Sequence, residues 1–212
     1  MNSKDNEIKI MDQSCREFSK NLADKVPVPG GGGACALVGA LASSLCSMSA
    51  NFTTGKKKYA EYEEDIKNII KENDRLRVRL LELVEEDAKA FEPLSKVYSL
   101  PKDYPNRQEK LDKATIDAAM PPLNMVKEIT KVIDLLELEL KIGSKLMVSD
   151  VGCGAYLAKA ALEGAALNVF VNTRFLSDKE KALQLNKKVL DILDEFSDKA
   201  EKIGDTVRKE LI

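Results

Sequence analysis

Asp87 is the side chain in this sequence best placed to do chemistry. Leu80, Val84, Phe91 and Leu94 recur at three-to-four spacing, and Asp87 falls on the same line. A carboxylate on an apolar stripe costs free energy unless it is paired or used. Burial also raises its pKa, which poises it as a general acid or base. The same placement suits a carboxylate that partners a lysine or a helix terminus at a bundle edge. Glu85 and Glu86 fall on other faces and read as solvated. The chain contains no histidine. A Ser-His-Asp or Cys-His pair and an HExxH metal site are therefore excluded. Acid–base chemistry falls to carboxylate, lysine, tyrosine or thiol.

Three further groups carry polar or ligand-binding character. Val26-Pro27-Val28-Pro29 leads into Gly30, Gly31, Gly32 and Gly33, and a charge-free helix follows. Four glycines remove every side chain at the turn, so backbone N–H groups can approach a ligand, and a helix start favours negative charge. The alternative is a flexible loop entering a buried helix. Lys56, Lys57 and Lys58 form a short basic cluster beyond that helix, suited either to carboxylates and phosphates or to a solvated loop. The glycines are followed by alanine and cysteine, so this is no P-loop. Asn168 and Asn172, four apart, share a helix face. With Asp150 they can line a polar pocket. Equally, Asn172 can terminate the helix and Asp150 can be a plain N-cap.

The elements that must position these groups read as helices throughout. Ile8, Met11, Cys15, Phe18 and Leu22 mark a first amphipathic helix. Gly31 to about Phe52 forms a second, small-residue helix that needs close neighbours on all sides. Lys57 to about Tyr98 is one long pattern, with Pro93 able to bend it. Residues 100–106 are a loop. Arg107–Met120 and Leu123–Ile142 are two helices meeting at Pro121-Pro122, and Gly143 ends the second. Ser149 and Asp150 cap a helix from Val151 to about Arg174. Ser177 and Asp178 start the last, with Leu183, Val189, Leu193, Phe196, Ile203 and Val207 as its core stripe. The fold class is all-α, an up-and-down bundle of long helices forming a single domain over residues 1–212.

Composition narrows the partners. Thirty-three lysines and arginines nearly balance 35 aspartates and glutamates, and there is no tryptophan. Neither fact suits a nucleic-acid binder. The polar N-terminus lacks a signal core. Ala34–Ala50 is short and serine-diluted for a membrane span, so no membrane is expected. Cys35 and Cys46 would lie about 16 Å apart on one helix, too far to pair. With Cys15 and Cys153 they read as reduced thiols of a cytoplasmic protein, and no zinc spacing is present.

Taken in order, the motifs resemble one family. Val26 to Gly33, the segment Asn51-Phe52-Thr53-Thr54-Gly55-Lys56-Lys57-Lys58-Tyr59, Glu85-Glu86-Asp87-Ala88-Lys89-Ala90-Phe91, Ala119-Met120-Pro121-Pro122-Leu123, Ser149-Asp150-Val151-Gly152 and Asn168 to Asn172 are similar to the formiminotransferase-cyclodeaminase C-terminal domain. That family includes stand-alone methenyltetrahydrofolate cyclohydrolases of this size.

The resemblance implies an all-helical homodimer, or a dimer of dimers. The substrate is a tetrahydrofolate, polyglutamylated, carrying a one-carbon unit, with no metal or redox cofactor. Its acid–base aspartate maps onto Asp87. The glycine turn would hold a polar edge of the folate, and Lys56, Lys57 and Lys58 its glutamate tail. The implied reaction is hydrolysis of 5,10-methenyltetrahydrofolate to 10-formyltetrahydrofolate. The alternatives are cyclodeamination of 5-formiminotetrahydrofolate, with release of ammonia, and a non-catalytic helical folate-binding or oligomerisation module.

Overall fold

The computed structural model describes residues 9–212; Ile8, expected on the first helix, lies outside them. The described residues hold six α-helices and no strand: α1 (Cys15–Ala23), α2 (Gly31–Thr53), α3 (Glu63–Tyr98), α4 (Arg107–Ile142), α5 (Val148–Thr173) and α6 (Lys179–Leu211). Single 3-10 segments sit at Ile10–Asp12, Lys57–Tyr62 and Lys145–Met147.

The helix starts are set by local chemistry. The Ser14 side chain accepts a hydrogen bond from Glu17 N at 3.1 Å, so α1 begins at Cys15 and Met11 stays in the preceding 3-10 turn. Gly55, at φ 74°, turns the chain out of α2. The expected helix from Lys57 therefore opens as 3-10 and becomes α-helical only at Glu63. Asp178 accepts from Lys181 N at 2.9 Å and starts α6 as expected.

Two expectations about boundaries are corrected. Ser149 and Asp150 do not cap α5; the helix already runs from Val148, and Asp150 lies inside its first turn. Pro121 and Pro122 do not separate two helices either, for α4 passes through both without a break. Pro122 has no N–H to offer the buried Ala118 carbonyl four residues back. Asn172 of α5 supplies the missing donor, its Nδ2 lying 3.2 Å from Ala118 O. Asp117, four before Pro121, is exposed, so water can serve its carbonyl.

The long helices alternate in direction. On α2 and α3, Gly39 meets Leu80 and Ser43 meets Asn73, an antiparallel order. α5 runs antiparallel to both α2 and α4, with Gly154 touching Ala42 and Leu136. α6 lies antiparallel on the outer side of α5, where Val207 meets Gly152 and Glu201 bonds Lys159. This is the expected up-and-down bundle. Its core runs through Leu76, Leu80, Leu83, Met125, Ile129, Ile133, Leu136 and Leu162, all at most 1% exposed.

α2 is central but not enclosed. Its buried line faces α3, α4 and α5, while Leu41, Met48 and Phe52 stay exposed at 50%, 37% and 55%. The expectation of neighbours on all sides is thus not met within one chain. On α6, Val189, Ile203 and Val207 are buried as expected, but Leu183 is exposed and Ala182 takes its place.

Candidate active site

The alternating directions bring four chain segments to one end of the bundle. They are the glycine-rich start of α2, the later half of α3, the first half of α4 and the last turns of α5. Asp87 stands there, half-buried on the stripe that carries the buried Leu80, Val84 and Leu94.

Its carboxylate lies against the first turn of α2. A Cβ built on Gly32 would fall 2.5 Å from Oδ2 and 2.6 Å from Oδ1. Only glycine leaves room for the carboxylate to come this close to the backbone. Gly30 caps α2 with no side-chain hydrogen bond, and the space above it is open. The carboxylate therefore faces unsatisfied N–H groups and the positive end of the helix dipole. Burial pushes the Asp87 pKa up to about 6, and the Gly33 N–H partly opposes that rise. Of the alternative partners, no lysine contributes, whereas a helix terminus, the start of α2, does. A carboxyl titrating near 6 can exchange a proton in either direction near neutral pH.

The other expected residues divide between the two ends of the bundle. Asn168 joins Asp87: its side chain lies 3.5 Å from where a Cβ on Gly31 would be, and its Nδ2 bonds Gly164 O at 2.9 Å. Asn172 is close by, but its amide is spent on Asn168 O (2.8 Å) and Ala118 O (3.2 Å). It braces α4 and α5 and has no amide donor left for a ligand. Lys56, Lys57 and Lys58 follow the far end of α2, about 33 Å from the glycine turn at about 1.5 Å per residue. Asp150 sits at the same far end, about 27 Å along α5 from Asn168. Within one chain neither the lysine cluster nor Asp150 reaches Asp87.

Around the site the sequence reading missed Cys35 and a cavity, and it misplaced Glu85 and Glu86 as solvated. Cys35, half-buried in the second turn of α2, has its Sγ against Gly164, and burial together with the Asp87 charge raises its pKa. Glu85 is not solvated. It accepts a hydrogen bond from Met11 N at 3.0 Å and fastens the segment before α1 to α3. Glu86 is held by Arg79 through both nitrogens. A cavity of 520 Å³ opens beside the site, lined by Lys9, Ile10, Val28, Ala88, Lys89 and Phe91 among others. Phe91 carries a sequence signal, since it shares the Asp87 stripe; Lys9 and Lys89 carry none.

The opposite end holds a second buried carboxyl. Glu139, 1% exposed, accepts from Ser49 Oγ at 2.7 Å, while its Oε2 has no partner. Burial raises its pKa to about 7. The signal was present in the sequence, because Glu139 follows Ile129, Val132, Ile133 and Leu136 at helical spacing.

Comparison with known proteins matches the sequence and the fold. The family model described as formiminotransferase-cyclodeaminase matches residues 14–191. A methenyltetrahydrofolate cyclohydrolase of Methylorubrum extorquens is 36% identical over 203 residues, spanning 94% of this chain and 98% of that protein. The formimidoyltransferase-cyclodeaminase of Rattus norvegicus is 26% identical over 179 residues, which cover 81% of this chain but 33% of that longer protein. The crystal structure of formiminotetrahydrofolate cyclodeaminase from Thermotoga maritima superposes with a TM-score of 0.81 at 29% identity, covering 95% of this chain and 96% of that one.

Proposed function

This chain belongs to the formiminotransferase-cyclodeaminase family, and from that premise we propose that it is an enzyme of folate one-carbon metabolism that hydrolyses 5,10-methenyltetrahydrofolate to 10-formyltetrahydrofolate. The observation that carries the reading is the Asp87 carboxyl, poised near pH 6 against the open first turn of α2.

The chemistry needs one proton-transfer group. Asp87 takes a proton from water as the water oxygen bonds to the electron-poor bridging carbon. It then delivers that proton to N5 of the ring as the carbon–N5 bond breaks. The hydroxyl of the tetrahedral adduct loses its proton to solvent and becomes the formyl oxygen. With the Gly33 N–H engaged by Asp87, the free first-turn N–H groups of Gly31 and Gly32 serve the adduct oxygen. The Asn168 side chain beside Gly31 borders the same space. None of these steps calls for a metal or redox cofactor. Four unpaired cysteines suit the reducing cytoplasm, which is the proposed location.

Cyclodeamination of 5-formiminotetrahydrofolate is the second reading, favoured by the likeness to the Thermotoga maritima structure. There N10 adds to the carbon of the protonated formimino group, and Asp87 takes the N10 proton and delivers it to the amino group of the adduct, which leaves as ammonia as its carbon–nitrogen bond breaks and the methenyl cation forms. A non-catalytic module fits less well, because an apolar residue at position 87 would pack at lower cost than a desolvated carboxylate.

Homodimerisation completes the proposal. Leu41, Met48 and Phe52 of α2 and Leu167 and Val171 of α5 are all at least 37% exposed. α2 carries no charged side chain anywhere. A second copy of the same face is the occupant that two adjoining uncharged stripes fit, by isologous pairing.

The decisive measurement is the loss of 5,10-methenyltetrahydrofolate absorbance at a pH where spontaneous hydrolysis is slow. Asp87→Asn should lower kcat by about 100-fold or more. A variant with near-normal kcat would remove Asp87 from the mechanism. No rate with wild-type protein, but ammonia released from 5-formiminotetrahydrofolate, would select the second reading.

A further inference from the structure

We infer that the cavity beside Asp87 receives the p-aminobenzoyl-glutamate arm of the substrate, with Lys9 and Lys89 as its carboxylate-binding residues. The inference rests on the folate reading above and deepens it.

Position comes first. On α3, Ala88 and Phe91 line the cavity, one and four residues from Asp87. At about 100° per residue, Phe91 lies about 40° round the helix from Asp87 and Ala88 about 100°. The cavity therefore begins where the carboxylate's own face ends, with Phe91 standing between the two. On the other side Val28 lines it, and the next residue, Pro29, packs 3.7 Å from a Cβ position on Gly33. A ligand reacting over the glycine turn can run past Phe91 into this space without leaving the molecule.

Size and chemistry agree. The volume of 520 Å³ lies within the range of small-molecule sites. Ile10, Pro27, Val28, Ala88 and Phe91 give an apolar body suited to an aromatic ring. Two cations, Lys9 and Lys89, and two carboxylates, Glu85 and Glu92, share the wall. Both carboxylates have partners already: Glu85 accepts from Met11 N at 3.0 Å, and Glu92 pairs with Lys96 at 2.6 Å. The wall thus offers an incoming carboxylate two ammonium groups, with Glu92 countered by Lys96 and Glu85 held by a backbone N–H.

Glu85 follows as a positioning residue. Its bond to Met11 N holds the Ile10–Asp12 turn against α3 and so fixes the wall that Ile10 supplies.

The test is calorimetric titration of p-aminobenzoyl-triglutamate into the full-length protein, which reads the arm without turnover. The double variant Lys9→Gln/Lys89→Gln should bind at least about tenfold more weakly, as expected when carboxylate–ammonium pairs are lost. In steady state the same variant should raise KM for the triglutamyl substrate far more than for the monoglutamyl one, and leave kcat within about twofold. Equal affinity in wild type and double variant, no binding by wild type, or a loss confined to Lys56→Gln/Lys57→Gln/Lys58→Gln would each overturn the inference. Lysine-dependent binding by a protein that turns over neither folate would overturn the reaction reading and leave the subsite standing. Turnover with a lysine-independent arm would do the reverse.

Discussion

Asp87 and Glu139 are two carboxyls raised by the same cause and used differently. Each lies on an apolar helix stripe and each is pushed up by burial, to about 6 and about 7. Asp87 opens onto a glycine turn, whereas Glu139 is closed in behind Ser49 and Thr53. In the unfolded chain both titrate near 4. Folding therefore favours their protonated forms. That contribution is complete below about pH 4 and is lost as pH rises through the folded values. Glu139→Gln keeps the neutral shape at every pH. Relative to wild type it should gain on the order of 2 kcal/mol between pH 5 and pH 8, read from urea unfolding at the two values. An equal difference at both pH values would mean that Glu139 is already ionised in the folded state. For Asp87 the same rise appears in catalysis. The carboxylate must be free to accept a proton, so kcat/KM should fall on the acid side with a midpoint near 6, about tenfold per pH unit below it. A profile flat from pH 5 to pH 8 would assign the proton transfer to another group.

At the scale of elements, the joint between α4 and α5 shows how one helix repairs another. Pro122 leaves Ala118 O without its helical donor, and Asn172 supplies one from the neighbouring helix at 3.2 Å. Asn172→Leu should orphan that buried carbonyl and cost on the order of 1–3 kcal/mol. Pro122→Ala restores the N–H, so the same Asn172→Leu change made in that background should cost much less. A double-mutant cycle by chemical unfolding reads the coupling. Additive losses would mean that Asn172 does not serve this carbonyl. The joint also explains why a double proline marks no boundary. Proline disfavours a helix interior because it orphans carbonyls and crowds the preceding turn, and here the first cost is met from outside the helix.

At the scale of the whole molecule, the exposed apolar side of α2 is an unmet demand of the fold. α2 is long and apolar enough to cross a membrane by length and composition alone. Its buried side is occupied by α3, α4 and α5 through Ala36, Gly39, Ser43, Cys46 and Ala50. What stays open is the stripe through Leu41, Met48 and Phe52. Leu41→Lys places a charge at its middle, on a residue 50% exposed in the single chain, so the bundle itself should tolerate it. Sedimentation velocity should show wild-type dimer and Leu41→Lys monomer, with the helical circular dichroism unchanged. A monomeric wild type would leave the face without the partner proposed here.

The sequence alone determined what depends on neighbours in the chain. Period and glycine placement gave the all-α class and seven helical segments, two of which the structure joins through Pro121 and Pro122 into α4, and apolar spacing singled out Asp87. The ordered motifs pointed to the family, because each is a short stretch whose geometry is largely local. The tertiary structure decided what depends on which ends of the helices meet. α2 and α3 run antiparallel, so Asp87 meets Gly32 and not Lys56, and α4 and α5 carry Asn168 to the same end but leave Asp150 at the other. Asn172 looked like a ligand-facing amide until the orphaned Ala118 carbonyl lay beside it. Lys9 and Lys89 are 80 residues apart in sequence and share a cavity wall only after folding. Long-range juxtaposition is set by the packing of whole helices, and no periodicity within one segment records it.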